Sequence, residues 1–369
     1  MTERHDPAPT PPPHSGSFGS PLRLKKIPSA IAAGLIFVML GLGAWWGIER
    51  SRNWLSAQPD YLIDVDRIEL VPDPPAQLRD GRTGILRSVR DGARLKAPIR
   101  LLDADLDALG KSFVLHSPWI ARVVRIDRSQ LKRLIVEVVY RIPLARVEIG
   151  GQPRQVLGND GAVLPSEEMS AKDRAELPVI VGLDNVPETS PGLYFGDDGN
   201  GKIQPKVAAA VAMAEFFRIN APSSVALRKI IVSLGSDDLS ITTRDGLAVY
   251  WRHAPGQEVE GEPTAADKLD LVKRWQAAMS KLISVSPNDV PPFLQIDVSK
   301  GPAHVMVQTK DKVWVHWRHI PGEEADDELS FAEKRECLRL WELSRGNKPV
   351  NAGDYLELNR QGARLRTEN

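Results

Sequence analysis

Residues 245–275, DGLAVYWRHAPGQEVEGEPTAADKLDLVKRW, align without a gap on residues 311–341, DKVWVHWRHIPGEEADDELSFAEKRECLRLW. Trp251-Arg252-His253 stands against Trp317-Arg318-His319, Pro255-Gly256 against Pro321-Gly322, Lys268 against Lys334 and Trp275 against Trp341. Similarity at a fixed offset marks one structural unit used twice. Each copy reads as a strand, an acidic hairpin-like loop and a helix opened by a capping box, Thr264-x-x-Asp267 in the first and Ser330-x-x-Glu333 in the second. Leu294-Gln295-Ile296-Asp297-Val298 leads into the second copy, and Tyr355-Leu356-Glu357-Leu358 follows it at a similar distance. The pattern predicts strand-strand-helix modules over about 228–291 and 292–350, joined in one extended sheet.

Upstream, Tyr61 to Val71 (YLIDVDRIELV) is β-branched with alternating apolar positions, and Pro72, Pro74 and Pro75 end it. A loop rich in Arg, Asp and Gly then reaches Asp103, an expected N-cap, after which Leu106, Leu109 and Phe113 recur at helical spacing. Pro118 stops that helix. Ile120 to Ile126 and Leu131 to Tyr140 follow as strands, the second with Leu134, Val136, Val138 and Tyr140 on one face. A helix on one face of a small sheet, followed by a larger β-rich part, predicts an α+β protein.

These residues carry a resemblance. Pro118-Trp119-Ile120, then Arg141-Ile142-Pro143-Leu144-Ala145 and Asn159-Asp160-Gly161-Ala162-Val163, come in the order and at the spacing of the FtsQ/DivIB cell-division family. Leu177-Pro178-Val179-Ile180 with Gly182, a helix over Pro205 to Ile219 and the segment from Ile230 to about Val307 continue the match, which covers roughly residues 25–307. The resemblance implies a disordered cytoplasmic tail (1–26), a transmembrane helix (27–48), a POTRA domain (60–146) and a β-domain (147–369) holding the duplicated module. It also implies a divisome scaffold that binds bitopic proteins of the FtsB and FtsL type through sheet edges and coordinates septal wall synthesis. The positions carried over as partner-binding are Arg252, Lys268 and Asp297, and by repeat Arg318 and Lys334. Of the family's last strands only Asp297 and Gly301 hold, while Val298, Ser299 and Lys300 depart, and about 60 residues follow where that family ends. Read from the residues alone, Trp119 is an aromatic anchor of the small sheet, Pro143 an edge-strand stop and Gly161 a turn residue with positive φ.

The membrane expectation has its own basis. Ile27 to Ile48 (IPSAIAAGLIFVMLGLGAWWGI) is an uncharged apolar run of the length that crosses a core of roughly 30 Å as a helix. Arg23, Lys25 and Lys26 before it, against Arg50 and Arg52 diluted by Glu49, Asp60, Asp64 and Asp66 after it, predict the N-terminus inside and the bulk of the chain outside the inner membrane. Trp45 and Trp46 sit where an interface belt is expected, and Gly43-x-x-x-Gly47 offers close approach to another helix. A cleaved signal peptide calls for a shorter apolar region and a small-residue cleavage site, whereas this run ends in bulky Trp. The first 20 residues, rich in Pro, Ser and Gly, have no apolar periodicity and are expected to be disordered.

Lys plus Arg and Asp plus Glu balance at 48 each, which argues against a nucleic-acid partner. The single cysteine, Cys337, excludes an intrachain disulfide and aligns with Leu271 as a small apolar residue. His253 and His319 invite a metal reading, but duplication explains the repeated triplet and no ligand lies at metal spacing beside either. Gly196 to Gly201 has calcium-loop composition without the spaced ligands and reads as a surface turn. No nucleophile elbow, metalloprotease or phosphate-loop motif occurs, so no catalysis, cofactor or small-molecule substrate is expected. The alternative function is a POTRA-bearing factor for polypeptide transport or outer-membrane assembly.

Overall fold

The computed structural model describes residues 29–95, 98–129, 133–184, 186–197, 200–233, 235–285, 293–346, 350–351 and 354–367. The chain divides into two compact units at Gln58/Pro59. The first contains helix α1, Ser29–Ser56, which runs eight residues past the apolar stretch and leaves Leu35, Ile36, Phe37, Leu40, Trp45 and Trp46 exposed. Among the described residues no helix is long and apolar enough to cross a membrane. The expected span 27–48 begins outside the described residues, as do the tail 1–26 and its basic flank.

The second unit begins with β1 (Leu62–Ile63), β2 (Glu69–Val71), α2 (Gly81–Gly92), β3 (Ile99–Arg100), α3 (Leu106–His116), β4 (Ile120–Asp127) and β5 (Ile135–Tyr140). The single strand expected over Tyr61–Val71 is two short ones with a 3-10 turn at Val65–Arg67 between them. The reason is the spacing of buried groups: Ile63 and Val65 alternate, but the next buried residue, Ile68, comes three later, a turn's period rather than a strand's. The Arg- and Gly-rich loop expected before α3 is helix α2, held by buried Ile85, Leu86 and Val89. The N-cap of α3 is Asp105, not Asp103; its carboxylate accepts the Asp107 and Ala108 N–H groups at 3.0 Å each. Strands β2, β5 and β4 form a three-stranded sheet in that order, and β5 turns Val136, Val138 and Tyr140, with Leu134 just ahead of it, into a core shared with Phe113 and Trp119, as their alternation predicts.

The rest of the chain supplies β6 (Pro143–Ile149), β7 (Gln152–Gly158), β8 (Val163–Leu164), α4 (Ala171–Glu176), β9 (Val179–Val181), α5 (Pro205–Asn220) and β10 (Leu227–Val232). Then come β11 (Leu239–Thr243), β12 (Ala248–Arg252), α6 (Ala265–Val285), β13 (Phe293–Asp297), β14 (Val305–Thr309), β15 (Trp314–Arg318), α7 (Phe331–Arg345), β16 (Asp354–Asn359) and β17 (Gly362–Thr367). They build a 12-stranded sheet of order β17-β16-β15-β14-β13-β12-β11-β10-β9-β6-β7-β8. The change of sheet falls between Tyr140 and Pro143, ahead of the 146/147 boundary expected from sequence. Pro143 is not an edge stop. It opens β6, an interior strand, at a first position where its missing N–H is tolerated.

The repeat is the growth rule of this sheet. Strands β10-β11-β12 and β13-β14-β15 are antiparallel triplets, and β12 pairs parallel with β13 through α6 as β15 pairs parallel with β16 through α7. Parallel neighbours need a long crossover, which is why each module carries a helix. The copies agree in detail: the ladder slips at Leu239/Ser240 in one and at Val305/Met306 in the other. Ile230, Val249, Trp251, Val272, Trp275, Ile296, Val315 and Trp317 line one continuous core. Phe217 meets Trp251 edge-on at 5.3 Å, and Phe293 meets Trp317 the same way at 5.2 Å.

Candidate interaction site

Both modules close by the same buried cluster. Lys268 on α6 donates to the Trp251 carbonyl at 2.9 Å and to Glu262, and lies over the Trp251 ring at 5.6 Å. Glu262 also meets His253 Nδ1 at 2.5 Å and accepts the Val259 N–H at 3.3 Å. In the second copy Lys334 donates to the Trp317 carbonyl at 2.7 Å and to Glu328, with its ammonium 5.3 Å from the Trp317 ring, while Glu328 meets His319 Nδ1 at 2.5 Å. The acidic loop is thereby folded back onto its helix. The capping boxes do their part: Ser330 accepts the Glu333 N–H while Glu333 accepts the Ser330 N–H at 2.8 Å, and Thr264 and Asp267 exchange the same pair of bonds.

Electrostatics agree with this closure. Burial presses Lys268 and Lys334 below the ordinary lysine range, with the neighbouring carboxylates resisting. Burial pushes Glu328 up, but hydrogen bonds from Lys334 and His319 outweigh it and hold the group at about 2; Glu262, also pushed up by burial, is lowered by Lys268 and His253. Every carboxylate oxygen of the cluster is engaged, and among the described residues no group of three His, Cys, Asp or Glu is arranged to hold a metal.

The positions expected to bind partners fare differently from one another. Lys268 and Lys334 are 0% and 1% exposed and satisfied internally, so they are parts of the module core and not surface contacts. Arg252 and Arg318 end β12 and β15 with φ of 75° and 67°, opposite the ladder slips, and turn the chain out of the strand into the acidic loop. Asp297 ends β13, opposite Tyr250; its carboxylate accepts the Ser299 N–H at 2.8 Å, and burial pushes it up against that bond. Arg252, Lys268 and Asp297 thus gather at the end of β12. None of the five lies on an edge strand.

The motif residues form a bolt between the two sheets. Arg141, nearly buried, sets Nε on Asp160 at 2.7 Å and Nη1 on the Pro118 and Ile120 carbonyls at 2.8 and 3.1 Å. Trp119 is buried and donates its indole N–H to Glu168 at 2.7 Å, tying the small sheet to the turn after β8. Gly161 has φ of 81°, as a turn glycine should, and a Cβ there would overlap Ile203.

Glu262 and Glu328, the centres of the two clusters, were missed by sequence reasoning. The signal was present: they occupy equivalent places in the two aligned copies, as do Glu258 and Glu324, which accept the Gly256 and Gly322 N–H groups at 2.9 and 2.8 Å. An acid kept in both copies of a loop otherwise free to vary marks a partner within the fold. The free hydrogen-bonding edges lie elsewhere. Among the described residues, strand β17 pairs only with β16 at one end of the large sheet and β4 only with β5 at one end of the small one, with β8 and β2 at the opposite ends. No family model and no curated protein matches the chain.

Proposed function

We propose that this chain is a membrane-anchored, non-enzymatic scaffold of the cell-division machinery, holding bitopic partners of the FtsB and FtsL type by strand addition at the outer edge of β17. The observation that carries the reading is that edge. Among the described residues its backbone from Gly362 to Thr367 meets a neighbour on one side alone, whereas the matching second strands β11 and β14 are each flanked on both sides. An unpaired edge offers a row of donors and acceptors to an extended segment. Leu365, paired with buried Leu356, is 47% exposed, and a partner strand would cover it. The motif order from Pro118 to Gly182 supports the assignment to division. In this reading the apolar run of sequence from Ile27 to Ile48 is the inner-membrane anchor, the tail lies in the cytoplasm and the sheet lies outside.

The test is capture of the extracytoplasmic segment of a bitopic division partner by the full chain in detergent micelles, with Arg364→Pro and Leu365→Pro as variants. Adjacent residues of a strand point their N–H groups to opposite sides, so one of the two substitutions removes a donor from the free edge. Loss of capture in that variant, with the circular dichroism of the parent, supports the edge. Parental capture by both folded variants overturns it.

A further inference from the structure

On the sheet face away from α5, strands β6, β9, β10 and β11 and the end of α4 enclose a cleft of about 580 Å³. Its position follows from strand alternation. Ala145, Val147, Ile180, Ile230 and Ile241 face the α5 core, so Arg146, Glu148, Val179, Lys229 and Thr242 face the opposite way. Arg228 and Arg244 complete a basic wall, and an adjoining hollow that shares Arg146 adds Arg174. In a chain whose charges balance, this is a local excess of cations.

The charges of these cations are not answered by carboxylates of the fold. Among the described residues none of Arg146, Arg174, Arg228, Lys229 and Arg244 forms an ion pair. The Nε of Arg146 is buried with no hydrogen-bond partner, while Nη2 reaches the Leu177 carbonyl at 3.3 Å. Arg244 is spread along the rim by one bond to the Glu176 carbonyl at 2.8 Å. Burial, and then the neighbouring charge of Arg174, lower the Arg146 guanidinium, the direction expected where like charges are held together.

We propose that this cleft binds an acidic peptide segment of a partner protein, one whose carboxylates alternate with small apolar residues. The floor between the cations is apolar, made by Ala175, Leu177, Val179 and Leu227. A bare phosphate would leave that floor unused. No aromatic ring lines the cleft, so it offers no stacking platform for bases, and Glu148 and Glu176 repel a continuous polyphosphate. The cleft is distinct from the β17 edge, and the inference holds whether or not that edge binds partners.

The test uses the full chain in detergent micelles and a fluorescein-labelled peptide of sequence EVEAEVEAEV, followed by anisotropy at two salt concentrations. The expected result is saturable binding that weakens with salt, falls at least about tenfold in the charge-reversal variant R228E/K229E and falls in R146Q, and is kept in K281E/K310E, which changes the net charge equally outside the cleft. R228E alone, at an exposed position, serves as the second variant should the double one unfold. A peptide with Lys in place of Glu should not bind, and inorganic phosphate should not displace the acidic one. Equal losses in the cleft and control variants, no saturation by the acidic peptide, or stronger binding of an oligonucleotide of equal charge each overturn the proposal.

Discussion

Replacing Lys334 by Met removes an ammonium from the centre of the second module while keeping the length and volume of the side chain. Glu328 then stays buried, with 2% of its side chain exposed, and keeps the His319 ring at 2.5 Å and the N–H groups of His319 and Ala325 at 3.3 and 3.2 Å. Breaking a buried pair by removing one member destabilises by about 3–5 kcal/mol, and the surviving donors place K334M near the lower end. Glu328→Gln keeps an amide oxygen for Lys334 to donate to but removes its countercharge, leaving a buried ammonium, and falls nearer the upper end. The double variant K334M/E328Q loses less than the sum, with a coupling of about 2 kcal/mol between neighbours that share a network. The same substitution at Lys268 strikes a module farther from the β17 end of the array. In a stacked array stability is a sum of module and interface terms, so K268M lowers the main urea transition, whereas K334M first releases residues 314–367. Hydrogen exchange under mild urea, resolved by peptide, separates the two. Losses below about 1 kcal/mol, the range of exposed pairs, would refute the buried network as a source of stability.

Other outcomes follow from the same structure. Glu328 is held at about 2 in the folded chain against an ordinary value of 4.5, so its contribution is fully present above about 4.5 and is lost as pH falls towards 2; urea midpoints between pH 5 and 2.5 should drop in the parent and flatten in E328Q. Arg141→Met strips the bonds to Asp160, Pro118 and Ile120 and should lose about 2–4 kcal/mol, read as a lower and broader calorimetric transition; an unchanged midpoint removes Arg141 from its place as the bolt between the sheets. Gly182→Ala combines φ of 89° with a Cβ 2.1 Å from the Val232 carbonyl oxygen, which is backbone and cannot step aside, and should destabilise by more than about 2 kcal/mol. Gly246→Ala, at φ of 94° with open space around it, should lose only about 1 kcal/mol; equal thermal shifts in the two would contradict the steric account.

The duplicated module was legible because two independent signals coincide in it. The aligned Trp-Arg-His triplets fall at the ends of β12 and β15, and both capping boxes open α6 and α7. Helix α2 was not legible, because GRTGILRSVRDG carries only three apolar side chains among Gly, Ser and charge, and its stability comes from packing rather than propensity. The lysines misled for a related reason. An isolated Lys reads as solvated, and only its partner Glu, six residues earlier in sequence, accounts for its burial. The edge itself leaves no mark in a single sequence, since whether β17 is flanked depends on the array around it and not on its own residues.

That dependence shapes what the proposed partner must look like. In the two preceding modules the strand lying outside the second one turns Val249 and Trp251, or Val315 and Trp317, onto the core face, under the helix that leads out of the module. A segment added antiparallel to β17 would take that third position. Its inward residues would meet Ala363 and Leu365 and need to be apolar, whereas its outward residues would stand beside Arg364 and Arg366, the second of which is already answered by Glu357 at 2.9 Å. The partner strand on this reading alternates apolar with polar or acidic residues over about six positions. A partner that binds with its register shifted by one residue would turn its apolar side to water, so register-shifted variants of the captured segment should bind weakly while keeping the same composition.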